Sequence, residues 1–202
     1  KPFPKISGSG MHLHISLLDK RGNNVFNNNT DLGSEMLKNS VAGILENMTE
    51  STLIFAPHFN SYKRLRPGTH APINICWGYE NRTAAIRIPG GNNISKRIEH
   101  RLAGADANPY LVLSSILASV LDGIKHKKIP PDPMLGDTYR GKLVQIPQSW
   151  DQAIQSFGNS KINRKFYPEV FCNVFKNCKQ QELEAFNSRI EDYEINTYLE
   201  SI

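Results

Sequence analysis

The sequence has little cysteine and no long apolar run. Its 202 residues hold three cysteines, Cys76, Cys172 and Cys178. None stands in Cys-x-x-C spacing, which argues against a structural zinc site or a redox pair and for ordinary buried thiols in a reducing compartment. The longest apolar stretch, Tyr110 to Leu121, is interrupted by Ser114, Ser115 and Ser119 and followed by Asp122. A membrane span needs about 20 apolar residues, so we expect no membrane contact and a cytoplasmic protein. No internal repeat, low-complexity tract or targeting peptide is recognisable. The chain begins Lys1-Pro2-Phe3-Pro4, without methionine, and reads as a segment of a longer protein. Charge is only mildly one-sided: 24 Lys and Arg against 19 Asp and Glu leave +5. Such an excess suits an anionic ligand, nucleic acid, an acidic surface or no special partner. With 39% hydrophobic and 21% charged residues, wholesale disorder is excluded and a globular chain of about one domain is expected.

What is present is a mixture of short strands and long helices without a regular βαβ rhythm, which favours an α+β fold. Residues 11–18 suit a strand with His12, His14 and Ser16 on one face. Residues 20–29 are turn-rich. Ser34 can cap a helix on which Met36, Leu37, Val41, Ile44, Leu45 and Met48 recur at helical spacing. Strand-like runs are expected at 52–55, 72–77 and 83–88, followed by a turn at Gly90, Gly91, Asn92 and Asn93. Asn108 and Pro109 open the clearest helix, whose face of Leu113, Ile116, Leu117, Val120, Leu121 and Ile124 should be largely buried. Pro130, Pro131 and Pro133 end that unit. The tail from about Ser149 to Ile202 reads as helical, with Leu183, Phe186, Ile190, Tyr193 and Tyr198 as a buried stripe.

Three constellations could carry chemistry. In residues 8–14, Gly8 and Gly10 precede His12 and His14. Two histidines on one strand face could be metal ligands, a ligand and a contact, or merely solvated. In Arg97-Ile98-Glu99-His100-Arg101, an extended chain puts Arg97, Glu99 and Arg101 on one face. A carboxylate between two guanidiniums stays ionised and can hold a divalent cation, while the guanidiniums can grip phosphate or carboxylate. An exposed ladder of ion pairs is the plain alternative. The third is the set Arg64, Arg66, Arg82 and Arg87; Arg87, between two isoleucines, would need an anion to offset its desolvation. The arginines do not line a helix and the aromatics form no RNA-binding strand motif, so we expect no nucleic-acid partner.

The order of these blocks resembles the glutamine synthetase family. Residues 1–16, KPFPKISGSGMHLHIS, are similar to its ATP-region signature, and Asn60 to Arg66 with Pro67-Gly68 and Ala71-Pro72 to its glutamate-binding segment. Trp77-Gly78, Asn81-Arg82, Ala84 to Pro89, Arg97 to Arg101, Ala107 to Leu111 and Leu121 to Ile124 complete the match. It is strong over 1–130 and loose over the helical tail 131–202. The resemblance implies a catalytic domain with a curved, mostly antiparallel sheet and flanking helices. It also implies an ATP- and Mg2+- (or Mn2+-) dependent ligase that joins glutamate to an amine (ammonia or a polyamine) through γ-glutamyl phosphate, and a ring-shaped homo-oligomer. Position by position it assigns His12 and Glu99 to a metal ion, and His14, Ser16, Arg87 and Arg97 to the nucleotide. Gly8 and Arg64 fall to glutamate, and Arg82 and Arg101 to the transferring phosphoryl group and the phosphorylated intermediate.

Departures refine that expectation. Ser7 stands where the family usually has Asn. His70 stands where bacterial-type members carry a Glu that binds and deprotonates ammonium; an imidazole is a poorer cation site, though still a base. The branch that uses putrescine and other polyamines also departs there, so a larger amine is expected. Lys96 lies near the place of an expected lysine but out of register, and Tyr139 does not match the segment adenylylated in some members. The family's N-terminal β-grasp domain and its metal-binding glutamates have no counterpart, so the segment alone is expected to be inactive. A non-catalytic family member is the competing reading.

Overall fold

A computed structural model of the chain describes residues 1–201. The fold is α+β, as expected: a four-stranded sheet backed by helices. The strands are β1 (Leu13–Ile15), β2 (Trp77–Tyr79), β3 (Ile86–Ile88) and β4 (Ile98–His100), in the order β1-β4-β3-β2. β4 pairs antiparallel with β1 and β3, whereas β2 and β3 are parallel. Each regular strand has only three residues. The regions read as strands at 11–18, 72–77 and 83–88 are therefore mostly irregular, with regular pairing confined to their ends or centres.

Helix α1 (Glu35–Phe55) starts where the Ser34 hydroxyl accepts a hydrogen bond from the Leu37 N–H at 3.2 Å. Glu35 complements the positive end of its dipole. The helix stops at Ala56 because Pro57 disfavours a helical residue before it. The Thr52–Phe55 run, expected as a strand, is instead the last turn of α1. Its β-branched residues are weak helix formers, but an established helix adds each further residue cheaply, and Leu53, Ile54 and Phe55 all become buried.

Helix α2 (Pro109–Lys125) is capped by Asn108, whose side chain accepts from the N–H groups of Tyr110 and Leu111. Its buried seam is Val112, Ser115, Ile116, Ser119, Val120 and Gly123. Leu113 and Leu121, expected inside, face out. Small residues explain the rotation. A Cβ on Gly43 of α1 would lie 2.1 Å from the Ser119 carbonyl, and one on Gly123 would lie 2.1 Å from the Asn39 carbonyl. The two helix backbones meet on glycine and serine, so the larger leucines are displaced from the seam. Asn47 Nδ2 donates to Ser119 Oγ at 3.1 Å across this contact.

The end of α2 is held by a buried carboxylate. Asp122 accepts from Lys128 Nζ at 2.6 Å and from Lys165 Nζ at 2.5 Å, and Lys128 also reaches Glu46 of α1 at 2.7 Å. Lys165 belongs to α4 (Lys161–Phe166), so one side chain ties three helices together. Burial opposes ionisation of Asp122, but the lysine hydrogen bonds outweigh it and hold the carboxyl at about 2.

The tail is helical, as expected, through α3 (Trp150–Gly158), α4, α5 (Glu169–Asn187) and α6 (Asp192–Tyr198). Its expected stripe is not buried beyond Leu183. Phe186 stacks on Phe59 at 5.5 Å but stays half exposed, Ile190 between α5 and α6 is exposed, and so are Tyr193 and Tyr198 on α6, which buries no residue. Cys76 and Cys172 are buried free thiols, whereas Cys178 is exposed. Among the described residues no helix is long and apolar enough to cross a membrane.

Gly43→Ala and Gly123→Ala should each destabilise the fold by about 2–3 kcal/mol through overpacking, read as a lower midpoint in urea denaturation. Asp122 ionises more readily folded than unfolded, so its stabilisation is complete above its ordinary value of 3.8 and is lost as pH falls through about 2. Asp122→Asn should cost about 2 kcal/mol at neutral pH and flatten the acid-unfolding curve between about pH 4 and 2.

Candidate active site

The site is one row of side chains across the sheet. Register places His14 of β1 opposite Glu99 of β4, and Glu99 opposite Arg87 of β3. Side chains alternate along a strand, so these three share a face, while Ile15, Ile98, Ile86 and Ile88 turn to the core. His100, on the core face, is fully buried against Phe55. The expected sharing of one face by Arg97, Glu99 and Arg101 holds, and the row is not an exposed ion-pair ladder, because the Glu99 side chain is only 4% exposed.

Glu99 is the centre. Its Oε1 accepts from Arg101 Nη1 at 2.7 Å and its Oε2 from Arg87 Nη1 at 2.8 Å. His12 Nδ1 lies 3.2 Å and His14 Nε2 3.8 Å from Oε1. Burial would raise the Glu99 pKa, but the Arg87 hydrogen bond and the charges of Arg101 and Arg87 prevail and hold it below the ordinary carboxylate value. His12 is pushed below the ordinary histidine value, first by burial and then by the Arg101 charge. A neutral imidazole thus stands beside an ionised carboxylate, the protonation states a divalent cation requires of its ligands. His12 and Glu99 fit a metal ion as two of its donors; no group of three or more potential ligands exists among the described residues.

Arg97 joins the row by donating from Nε to His14 Nδ1 at 3.1 Å. Ser16 lies beyond β1 and its hydroxyl donates to the Lys96 carbonyl at 3.2 Å, so it ties two segments of the site together. Lys96, out of register in the sequence, is buried and donates from Nζ to the Asp31 carbonyl at 2.9 Å.

Arg64 sits at the other end, in a channel made by absent side chains. A Cβ on Gly8 would come within 3.2 Å of Arg64 Cγ, and one on Gly10 within 3.5 Å of Nη1. The guanidinium is buried and donates to the Leu102 carbonyl, but it forms no ion pair among the described residues. A cavity of about 310 Å³ opens beside it, lined in part by Lys1, Ser9, Ser61 and Asp106. Burial pushes the Arg64 pKa down and the Asp106 charge only partly opposes this; an anionic ligand would offset the rest of that cost.

Two predicted site residues stand apart. Arg82 and His70 are exposed and make no side-chain hydrogen bond or ion pair among the described residues. His70 has a left-handed backbone, φ 59°. Glu80 was not among the sequence candidates, yet it pairs with Arg87 Nη2 at 2.6 Å. Its seven-residue separation from Arg87 would share a face on a helix but not on a strand, and here the pairing of β2 with β3 brings the two together.

This sheet-borne cluster has recognisable relatives. The model of the "Glutamine synthetase, catalytic domain" family matches residues 1–198, and the chain belongs to the glutamine synthetase family. It is 37% identical over 201 residues to the gamma-glutamylputrescine synthetase PuuA of Escherichia coli K12, covering 100% of this chain and 43% of that protein. It is 36% identical to a glutamate–isopropylamine ligase of a Pseudomonas species, covering 100% of this chain and 45% of that one. Two structures of GmaS are similar in fold. The form without ligand has a TM-score of 0.88 at 30% identity and matches 98% of this chain and 47% of its own. The ADP complex has a TM-score of 0.89 at 29% identity, with 99% and 48% matched. The chain thus spans less than half the length of these relatives.

Glu99→Ala leaves two guanidiniums on the sheet face without their shared carboxylate. It should destabilise the fold by about 3 kcal/mol, measured by chemical denaturation, and should weaken Mn2+ binding, measured by calorimetry.

Proposed function

We propose that the chain supplies the carboxy-terminal part of the active site of an ATP-dependent glutamate–amine ligase. The observation that carries this reading is the excess of guanidinium over carboxylate along the sheet face: Arg64, Arg87, Arg97 and Arg101 stand against Glu99 and Glu80. Such a surface suits ligands bearing several negative charges, here glutamate and a nucleotide polyphosphate. The names of the relatives, ligases of glutamate to putrescine and to isopropylamine, point the same way, as does the ADP complex of GmaS.

In this reading Arg64, with the Gly8 backbone alongside, grips the glutamate α-carboxylate. An oxygen of the γ-carboxylate attacks the γ-phosphorus of ATP and the bond to the bridging oxygen breaks, leaving ADP and an acyl phosphate. Arg101 and Arg82 neutralise the charge that gathers on the transferring group, and Arg87, Arg97, His14 and Ser16 orient the nucleotide phosphates. The amine nitrogen then attacks the acyl carbon, phosphate departs, and the nitrogen loses its proton to His70. His12 and Glu99 would hold one face of a Mg2+ or Mn2+ ion, whose chemistry is to neutralise phosphate charge. The remaining donors would come from the part of a full-length ligase for which this chain has no counterpart.

The test is amine-dependent ADP release by the full-length protein with glutamate and ATP, comparing ammonia, putrescine, longer polyamines and isopropylamine. We expect a larger amine to outpace ammonia; absence of turnover with every amine overturns the reading. Arg101→Ala should lower kcat by about 10²- to 10³-fold with little change in ADP affinity. The reverse pattern would remove Arg101 from the phosphorylated intermediate.

A further inference from the structure

Arg87 already holds two carboxylates, each on one hydrogen of a terminal nitrogen. Nη1 is committed to Glu99 and Nη2 to Glu80, while Nε is buried without a partner. Its two carboxylates differ in kind. The Glu99 side chain is 4% exposed and locked among Arg87, Arg101 and His12. The Glu80 side chain is 56% exposed and comes from the end of β2. Glu80 also has a left-handed backbone, φ 51°, a conformation that disfavours residues other than glycine, asparagine and aspartate. The contacts that oppose this cost are few. The Glu80 N–H donates to the Ile88 carbonyl at 3.0 Å, and the carboxylate takes Arg87 with Oε2 and the Gly90 N–H with Oε1. A Cβ on Gly90 would lie 2.6 Å from that Oε1, so a larger residue there would make the Glu80 carboxylate shift. The segment it pins, from Pro89 to Lys96, joins Arg87 to Arg97.

We infer that Glu80 is a positioning residue that occupies the phosphate place on Arg87 until nucleotide arrives. One carboxylate oxygen holds the guanidinium edge, a donor that a phosphate group also takes, and the other holds the Gly90 N–H. Nucleotide binding then exchanges one anion for another. Arg87 Nη2 releases Glu80 and turns to a phosphate oxygen, Glu99 stays, and the Gly90 N–H becomes free. The exchange keeps the guanidinium paired throughout, and it makes nucleotide affinity a difference between two anions. No covalent bond changes. The inference rests on the proposed nucleotide role of Arg87.

The experiment is calorimetric titration of the full-length protein with ADP and Mg2+, comparing wild type with Glu80→Gln. The amide keeps a hydrogen-bond acceptor but not the charge. Since Glu80 is half exposed, its pair with Arg87 is a modest competitor, and ADP should bind the variant about two- to fivefold more tightly. The difference should shrink as salt is raised, because exposed charges are screened. Glu80→Gly, favoured by the left-handed backbone, should also fold and also tighten ADP, which a merely structural role would not do. Hydrogen exchange at residues 90–95 should speed up in both variants without ligand and in wild type with ADP. Unchanged or weaker ADP binding in folded Glu80→Gln and Glu80→Gly overturns the exchange while leaving the ligase reading intact. Absence of ADP binding in wild type overturns both.

Discussion

The Glu99 carboxylate is the constraint on which the site depends. It sits on the central strand of a very small sheet and is shared by two guanidiniums while two imidazoles approach it. Removing a charge of this kind from water is expensive, and only several well-aimed donors offset it. Strand pairing supplies them: β1 brings His14 and β3 brings Arg87, both directly opposite Glu99. Three-residue strands suffice because each has one position to present.

So short a sheet cannot hold itself together. Its isoleucines share one core with apolar residues of α1 and α2, which approach closely on Gly43 and Gly123. Asp122 then fixes the far end of α2 to α4. Positioning of the arginines therefore reaches back through the isoleucines of the sheet to a glycine contact in the second layer. In the other direction, Arg64 rests on the absence of side chains at Gly8 and Gly10.

Much of this was legible in the chain. Alternation of His12, His14 and Ser16, and of Arg97, Glu99 and Arg101, is a period-two signal, and the sheet realises it. Ser34, Asn108 and Pro109 mark helix starts by local chemistry, and local chemistry is what a sequence displays most directly. Thr52–Phe55 misled because β-branched composition is weaker than the continuation of a helix already formed. Leu113 and Leu121 misled because the seam of α2 is set by small residues on its partner, which periodicity within one helix does not report. The α6 tyrosines have helical spacing but no surface to pack against. Glu80 was invisible because its link to Arg87 belongs to strand pairing and not to spacing.

One contrast within the site bears on which side chains can vary. Glu99 and Arg101 are buried and paired with each other, whereas His70 is exposed on a left-handed turn without side-chain partners among the described residues. A substitution at His70 disturbs no packing and breaks no ion pair. Side chains at such a position can change at little cost in stability, while those of the buried cluster are held by their ion pairs.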